Sequence, residues 1–282
     1  MDKHILELKD ARLDAALAPA CTLYGVLGTE SVALLVANSA GEVLDIETWQ
    51  YAKPNKSFAQ TEQDLRRIIA QEPVFNWPFG QKHGVLFHPN ITLVPRRLFQ
   101  HHALPEYFKL LLKPAEYVYA YEELPDFDAY LVQAIERPQA RLFNELFPQA
   151  RLRHQAVQLL HFIRASAAAA DHTIFLHLRH QVAQLAVTER QNLLFYNTFS
   201  FVTPADLLYY TLLVYDQFKL NPADTPLTVA GNVLRDSELY RILYRFVREI
   251  RFAVPPSGFH LPLASTPLPG HCHLELFCLT NL

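Results

Sequence analysis

The sequence repeats one order of secondary-structure patterns, and this repeat constrains the fold more than any other feature. Three short strand-like segments lie in residues 21–51, and a helical pattern follows in residues 57–71. A second set of three strand-like segments and a helical pattern occupies residues 172–218. In each set a further strand and a further helix follow. Because strands alternate with helices in both sets, the sequence predicts a structural duplication of two α/β lobes.

The predicted lobes meet in a Ser- and Ala-rich stretch, RASAAAAD, at residues 164–171. We place the first lobe at residues 1–168 and the second at residues 169–282. The chain has 282 residues, of which 50% are hydrophobic and 19% are charged. This composition is typical of a folded chain and suits two lobes that each bury a core.

Residues 193–210, LLFYNTFSFVTPADLLYY, form the most organised stretch. Their first half alternates with a period of two and carries apolar side chains on both faces, which predicts a strand covered on both sides. Thr203 suits an N-cap, Pro204 suits the first helical position, and Asp206 stands at the third. We therefore expect a helix from Thr203 to about Phe218, with Asp206 as its cap and dipole partner instead of a general base.

Asn197 is a further candidate in this stretch. It lies among apolar residues and must find hydrogen bonds there. It either lines a ligand pocket or satisfies nearby backbone groups.

The segments LLFYNTFSFVTPADLLYYTLLV, LTVAGNV and LYRILYRFVREIRF resemble a family of uncharacterised bacterial proteins grouped with the actin-like ATPase superfamily. The resemblance covers most of the chain, and its most specific part is N-T-F-x-F followed by D-x-x-Y-Y. It implies two ribonuclease H-like lobes that face each other across a cleft, in agreement with the duplication. The nearest functional analogues implied are the actin homologues of pilus assembly and cell division.

Actin-like ATPases hold phosphates in two β-hairpins, typically with an Asp and a Gly at each tip, because the backbone approaches the phosphates closely. The resemblance implies a first tip at residues 37–41, with Asn38 in place of the Asp and with Gly41 retained. It implies a second tip at residues 178–181, where Arg179 and His180 leave neither an Asp nor a Gly.

The adenosine-side loop of the resemblance corresponds to residues 230–232, which keep one glycine, Gly231. The candidate nucleotide-site residues are therefore Asn38, Gly41, Arg179, His180, Asn197 and Gly231. Because the aspartate positions are lost, we expect neither ATP nor Mg²⁺ as a cofactor. Two alternatives are an anion held by Arg179 and His180, and a solvated hairpin tip.

Other motifs are absent or ambiguous. None of the eight glycines forms G-x-x-x-x-G-K-[ST], G-x-G-x-x-G or G-x-S-x-G, which argues against P-loop, Rossmann and α/β-hydrolase sites. If HCHLELFC at residues 271–278 is a strand, His271, His273 and Glu275 share one face as potential zinc ligands. The alternative is an ordinary surface segment.

Two charged clusters also have a functional and a structural interpretation. The acidic turn EELPDFD carries carboxylates that either bind Mg²⁺ or are simply solvated. These are Glu122, Glu123, Asp126 and Asp128. A predicted helix at residues 237–251 places arginines opposite its apolar stripe, either for an acidic partner or a phosphate group or as a solvated face. These are Arg241, Arg245 and Arg248, with Arg251 beside them.

Charge and cysteine content bound the partners and the compartment. The net charge of −3 gives no general attraction to nucleic acid or acidic lipid. The charged N-terminus, the short apolar runs and three cysteines predict a cytoplasmic protein without a signal peptide or membrane span. We expect a non-catalytic scaffold or adaptor that binds an unidentified protein. The alternatives are a divergent ATP-binding ATPase or kinase-like enzyme and, less favoured, a two-metal nuclease.

Overall fold

The computed structural model describes residues 3–51, 57–112, 115–167, 172–260 and 268–281. The chain divides into two compact units. The first comprises Met1–Gln158, Pro256–Leu268 and Glu275–Leu282, and the second comprises Leu159–Pro255 and Pro269–Leu274. The chain thus returns to the first unit at its C-terminal end, whereas the sequence prediction assigned all of residues 169–282 to the second lobe. The predicted boundary at residue 168 lies outside the described residues and stays a prediction.

A five-stranded sheet with the order β1-β4-β3-β2-β5 organises the first unit. Its elements are β1 (Lys3–Lys9), β2 (Cys21–Leu27), β3 (Ser31–Asn38), β4 (Val43–Gln50), α1 (Phe58–Gln71) and β5 (Gln81–Leu86). Strands β2, β3 and β4 form the predicted antiparallel meander, and β5 pairs parallel with β2. The prediction missed β1, whose charged sequence KHILELK pairs antiparallel with β4.

The first unit also carries a three-stranded sheet with the order β6-β8-β7, here called the inserted sheet. Its strands are β6 (Ile91–Pro95), β7 (Tyr117–Leu124) and β8 (Ala129–Glu136). A 3₁₀ segment, His101–Phe108, packs on it through Leu104 and Phe108. Two helices follow, α2 (Arg137–Leu146) and α3 (Gln155–Ser166).

A second five-stranded sheet organises the second unit, with the order β11-β10-β9-β12-β13. Its elements are β9 (His172–Arg179), β10 (Val182–Glu189), β11 (Asn192–Ser200), α4 (Pro204–Gln217), β12 (Leu227–Gly231), α5 (Glu238–Tyr244) and β13 (Ile250–Phe252). The order β11-β10-β9-β12 repeats the order β4-β3-β2-β5 of the first unit, and each fourth strand pairs parallel with the first strand of its meander. This correspondence confirms the predicted duplication.

Each sheet has its own apolar core. In the first unit, Leu34, Phe58 and Phe143 are among the fully buried side chains. In the second unit, Leu185, Leu207 and Val229 have the same role. No helix in the described part of the chain is both long and apolar enough to span a membrane.

Two predicted elements near the C-terminus were wrong. The helix predicted at residues 237–251 ends at Tyr244, because residues 250–252 pair with β12 and the N–H of Arg248 donates to the carbonyl of Pro222. The strand predicted at HCHLELFCL is helical instead, with α6 (Leu274–Phe277) between two 3₁₀ turns. Leu274, Phe277 and Cys278 are buried at the i, i+3, i+4 spacing of a helix face, and Leu276 and Leu279 are buried as well.

Candidate functional site

The turn between β9 and β10 holds two of the predicted phosphate-site residues, Arg179 and His180. His180 adopts a left-handed backbone conformation with φ of 49°. Its main-chain N–H donates to Oδ1 of Asn232 at 3.0 Å. Arg179 is only 2% exposed, so this turn does not present its guanidinium to solvent.

The loop after β12 lies directly against this turn. Gly231 has φ of 82°, and a Cβ atom placed on it would lie 2.0 Å from the carbonyl oxygen of Leu178. The N–H of Asn232 donates to the same oxygen at 2.8 Å. The fold thus brings Arg179, His180 and Gly231 together, and Asn232 is the residue that joins them. The sequence analysis included Asn232 in the loop but gave it no role.

Asn38 and Gly41 lie in the first unit, at the turn between β3 and β4. Oδ1 of Asn38 accepts hydrogen bonds from the N–H groups of Ala40 and Glu42, both at 3.0 Å. Gly41 has φ of 79°, and a Cβ atom on it would lie 2.7 Å from the carbonyl oxygen of Gly258. The N–H of His260 donates to the carbonyl of Gly41 at 2.8 Å. Residues 258–260 therefore cover this turn.

Strand order shows that the two turns chosen from the sequence do not correspond. The β9–β10 turn joins the first and second strands of its meander, whereas the β3–β4 turn joins the second and third. The counterpart in the first unit is the β2–β3 turn at residues 28–30, which the sequence analysis did not select. Counting strands within the repeat would have identified it, since it is the first turn of the first meander.

The β2–β3 turn is closed by its own unit. The hydroxyl of Tyr51 donates to the carbonyl of Gly28 at 2.6 Å, and the N–H of Tyr51 donates to the carbonyl of Glu30 at 3.0 Å. The hydroxyl of Thr61 donates to the carbonyl of Thr29 at 3.2 Å. Glu30 is buried. The carbonyl groups of residues 28–30 therefore accept hydrogen bonds from within the first unit.

Main-chain N–H groups are the donors that cradle a phosphate at a hairpin tip or nest. At the predicted positions these donors are used inside the protein. In the β3–β4 turn, the N–H groups of Ala40 and Glu42 donate to Oδ1 of Asn38, and the N–H of Gly41 donates to the carbonyl of Asn38. In the second unit, the N–H of His180 donates to Oδ1 of Asn232, and the N–H of Asn232 donates to the carbonyl of Leu178. The residues present therefore do not fit the phosphate-binding role that the resemblance implied.

Asn197 does not lie in an apolar pocket. It is exposed. Strand β11 is an edge strand, and the prediction that both of its faces are covered was wrong. Asn197 accepts a hydrogen bond through Oδ1 from the N–H of Thr198 at 2.8 Å. It pairs with Leu185 in the middle of β10, whereas Arg179 pairs with Val182 at the start of that strand. Asn197 is therefore separated from the turn that holds Arg179.

Asp206 has the capping role expected of it. Its N–H donates to Oγ1 of Thr203 at 3.2 Å, and its Oδ2 accepts from the N–H groups of Thr203 and Val202 at 2.8 and 3.0 Å. These bonds lower the pKa of the Asp206 carboxyl group. The interpretation of Asp206 as a helix cap is confirmed.

The remaining candidates do not converge on a site. Glu122 pairs with Arg153 at 3.4 Å, and Glu123 pairs with Arg96 at 3.0 Å. His271 packs on Phe252, its Nε2 lies 2.9 Å from the carbonyl of Val233, and burial lowers its pKa. Within the described ranges no three His, Cys, Asp or Glu side chains are grouped to hold a metal ion.

The predicted basic helix face is also lost. Arg241 lies on α5, but Arg248 and Arg251 lie beyond its end. Arg251 is in β13 and pairs with Glu249 at 2.7 Å. The arginines therefore do not form a continuous stripe for a phosphate group or an acidic partner.

Strand β4 carries a buried pair of carboxyl groups that the sequence analysis did not consider. Asp45 and Glu47 are 2% and 1% exposed. Lys9 Nζ lies 3.2 Å from Glu47 Oε1. Burial, and then the charge of Glu47, raises the pKa of Asp45 to about 8. A neutral Asp45 carboxyl hydrogen-bonded to Glu47 is the form that this environment favours.

Comparison with known proteins identifies the fold. The family model described as protein of unknown function (DUF3822) matches residues 10–250. No protein with a curated description matches the sequence. A Bacteroides thetaiotaomicron protein of unknown function with an actin-like ATPase fold superposes with a TM-score of 0.72 at 17% identity, over 95% of this chain and 100% of that chain.

A second structure gives the same result. The PilM–PilN type IV pilus biogenesis complex matches with a TM-score of 0.62 at 10% identity, over 91% of this chain and 97% of that chain. At these identities the likeness concerns the fold alone. The chain has the actin-like ATPase fold, which confirms the fold that the resemblance implied.

Proposed function

The chain belongs to the DUF3822 family of proteins of unknown function, and from that premise we propose that it is a non-catalytic protein of actin-like fold that binds another protein. The observation that carries the non-catalytic part is the use of main-chain donors at the two corresponding hairpin turns. The N–H of His180 donates to Oδ1 of Asn232, and in the β2–β3 turn the N–H of Gly28 donates to the carbonyl of Ser31. These N–H groups have no hydrogen left for a phosphate oxygen.

Opening these positions would cost free energy. Each intramolecular hydrogen bond contributes about 0.5–1.5 kcal/mol, and each must break before its donor can face an anion. In the second unit, the N–H of Asn232 is also used, because it donates to the carbonyl oxygen of Leu178 at 2.8 Å. In the first unit, the corresponding β2–β3 turn at residues 28–30 contains no Asp to handle a metal ion. Both effects oppose binding of Mg-ATP.

Exposed apolar side chains on the first unit support a protein partner. Leu98, Leu110 and Leu111 are 57%, 96% and 70% exposed. In sequence they flank the 3₁₀ segment His101–Phe108, which packs on the inserted sheet, where Phe99 stacks on Tyr130 with ring centroids 3.9 Å apart. Exposed apolar surface next to packed aromatic residues is a feature of protein interfaces. PilM, a structural neighbour, is itself described in a complex with PilN, and this adds support by analogy only.

The non-catalytic part is tested by melting the pure protein with and without 1 mM Mg-ATP and by assaying phosphate release. A ligand at 100 times its Kd would stabilise the fold by about 2.7 kcal/mol, which is roughly 2–4 °C in a chain of this size. We expect no shift and no release. An Asn232→Ala variant, with Asn221→Ala as the control, localises any effect. A Mg-dependent shift or phosphate release by the wild type would overturn this part, and a change of that effect in N232A but not in N221A would place the ligand at the β9–β10 turn.

The protein-binding part is tested by affinity capture with three baits. These are the wild type, L110E/L111E and a control variant, V254E, whose exposed valine lies in the second unit. We expect one protein to be recovered by the wild type and by V254E and to be lost with L110E/L111E. Recovery of no specific protein, or equal recovery by all three baits, contradicts the assignment of this surface.

A further inference from the structure

We infer that the outer edge of β11 is a dimerisation surface, on which β11 of a second copy of this chain pairs antiparallel. Strand β11 lies at the end of its sheet and pairs only with β10 among the described strands. This surface is distinct from the leucines of the first unit, and its test does not depend on the proposed function.

The register with β10 shows which groups of β11 face outward. The N–H of Phe201 donates to the carbonyl of Gln181 at 2.9 Å, so Phe201 and the alternate residues before it direct their backbone groups toward β10. The intervening residues Tyr196, Thr198 and Ser200 therefore direct their N–H and C=O groups outward. The N–H of Thr198 accordingly contacts the side chain of Asn197 and not β10. The ladder is regular from Phe195 onward, because the register shifts next to Leu194.

The composition of β11 distinguishes it from the other edges. Natural edge strands are protected by charged residues, prolines or shortness, since an unprotected edge pairs with other chains. The edge strands β1, β5, β7 and β13 each carry a Lys, Arg or Glu, and β6 contains Pro95. Strand β11, NLLFYNTFS, is nine residues long with no charge and no proline. Within the described sheets it is the one edge that has none of these protections.

The uncharged sequence favours a second copy as the occupant. A twofold axis places each residue of one strand near its own counterpart, so a charged strand would meet like charge across the interface. Strand β11 has no charge to repel itself. With Thr198 on the axis, Thr198 pairs with itself and Tyr196 pairs with Ser200 of the second copy. All three outward residues then form hydrogen-bonded pairs, with two bonds in each.

Apolar side chains beside the edge extend this surface. Val202 follows β11 directly and is 72% exposed, and Tyr209 on α4 is 62% exposed. The ring of Tyr209 contacts Tyr210, and Tyr210 stacks on Phe199 of β11 at 4.7 Å. On pairing, the N–H of Thr198 would exchange its bond to Asn197 for a bond to the carbonyl of the second copy. The free energy that favours pairing therefore comes from the backbone hydrogen bonds of Tyr196 and Ser200 and from burial of the apolar side chains.

Sedimentation velocity over a range of concentrations tests the dimer with substitutions at Thr198. T198P removes an outward N–H and leaves the ladder to β10 intact, since proline is tolerated on edge strands. T198K places two like charges at the axis. Thr92→Lys is the matched control, because Thr92 is also a half-buried threonine on an edge strand, β6. Circular dichroism melts establish which variants are folded.

We expect the wild type and T92K to form dimers, and every folded Thr198 variant to be monomeric at concentrations where the wild type is dimeric. If T198P does not fold, T198K decides the outcome. A monomeric wild type up to about 100 µM, the range of weak micromolar dimers, overturns the proposal. So does a dimer that persists in T198K. A monomer that captures a foreign strand on β11 also overturns it, because the occupant is then not a second copy.

Cysteine cross-linking tests the register. Hydrogen-bonded antiparallel pairs have Cα atoms about 5.5 Å apart, within the range that a disulfide spans. We therefore expect T198C to form a covalent dimer under oxidation. S200C, displaced from the axis, should form far less, and the wild type controls for Cys21, Cys272 and Cys278. Cross-linking of S200C in preference to T198C rules out the proposed register.

Discussion

Strands β4 and β11 hold the same position in two sheets of matching order, but their surroundings differ. Six of the eight residues of β4 are buried, and β1 pairs along its outer edge. No residue of β11 is fully buried, and no described strand pairs with its outer edge. Because β1 excludes water, β4 can hold the buried carboxyl groups of Asp45 and Glu47. The same sheet order thus supports a closed edge in one unit and an open edge in the other.

The largest expected effect concerns how the core of the first unit is filled. Gly25 and Gly84 pair across β2 and β5, and a Cβ on either would lie within 2.5 Å of the Phe147 ring. We expect Phe147→Ala to destabilise the first unit by about 3–5 kcal/mol, because the ring leaves a cavity over both glycines. Urea unfolding followed by tryptophan fluorescence reports this, since Trp49 and Trp77 both lie in the first unit.

Phe218→Ala is the matched control for this cavity. Phe218 is half-buried beside Phe195 in the second unit, so its loss should cost clearly less. Because both tryptophans lie in the first unit, unfolding of this variant is followed by circular dichroism. Equal losses of unfolding free energy in F147A and F218A would show that the two cores tolerate a cavity equally well. That result would contradict the packing of Phe147 described above.

A smaller effect is expected at Gly231 in the second unit. Gly231→Ala forces a side chain into a positive φ and toward the Leu178 carbonyl, which costs about 1–3 kcal/mol from the backbone conformation alone. Hydrogen exchange in β9 and β12 measures the loss. A Cβ on Gly84 of β5 instead meets a side chain, Phe147, so the cost of G84A should shrink in an F147A background. If G231A lost no more stability than an ordinary surface substitution, the result would contradict the close approach of Gly231 to the Leu178 carbonyl.

The buried Asp45 makes the first unit pH-sensitive. Its pKa is raised from an ordinary value of 3.8 to about 8 in the folded protein. The folded state therefore binds more protons than the unfolded state between these values, and the stability from this group is lost as pH rises toward 8. We expect the free energy of unfolding to fall by up to about 1.4 kcal/mol from pH 6 to pH 7. Asp45→Asn should reduce this dependence of the unfolding free energy on pH. If the dependence is unchanged in D45N, other titrating groups cause it.

The smallest expected effects compare the two equivalent helices. Both helices begin with a local capping box, formed by Thr203 and Asp206 in α4 and by Ser57 and Gln60 in α1. Helix α1 has an additional cap, because Glu136 of β8 accepts from the N–H groups of Phe58 and Ala59 at 3.1 and 3.2 Å. We expect T203A and E136A each to cost about 1 kcal/mol. In E136A, hydrogen exchange of the first-turn amides should accelerate in α1 and not in α4. In T203A, it should accelerate in α4 and not in α1. Acceleration in both helices by one variant would contradict this assignment.

Much of the fold followed from local patterns in the sequence. The two meanders, α1 and α4 were predicted because alternation and caps act over a few residues. The sequence failed where a short apolar run suits either element, as in α6, and where pairing with a distant strand ended α5 at Tyr244. The sequence analysis also missed the edge strand β1, because the pairing of this charged segment with β4 is likewise a long-range contact.

The candidate site was harder to predict than the fold. The resemblance led to Arg179, His180 and Gly231, which do lie together. It also led to Asn38 and Gly41, whose turn is not the counterpart of the β9–β10 turn. The role of Asn232 depends on a bond across 52 residues of sequence, which no local pattern contains.

The sequence by itself determined the elements whose signals are local, and α4 is the clearest case. Thr203 and Asp206 are three residues apart, so their mutual bonds form wherever the helix forms. The tertiary structure alone decided that Glu136 adds a second cap to α1 from 78 residues away, that β1 closes the edge of β4, and that no described strand pairs with the outer edge of β11. Local bonds need only short-range geometry, whereas these contacts exist only after the sheets have assembled.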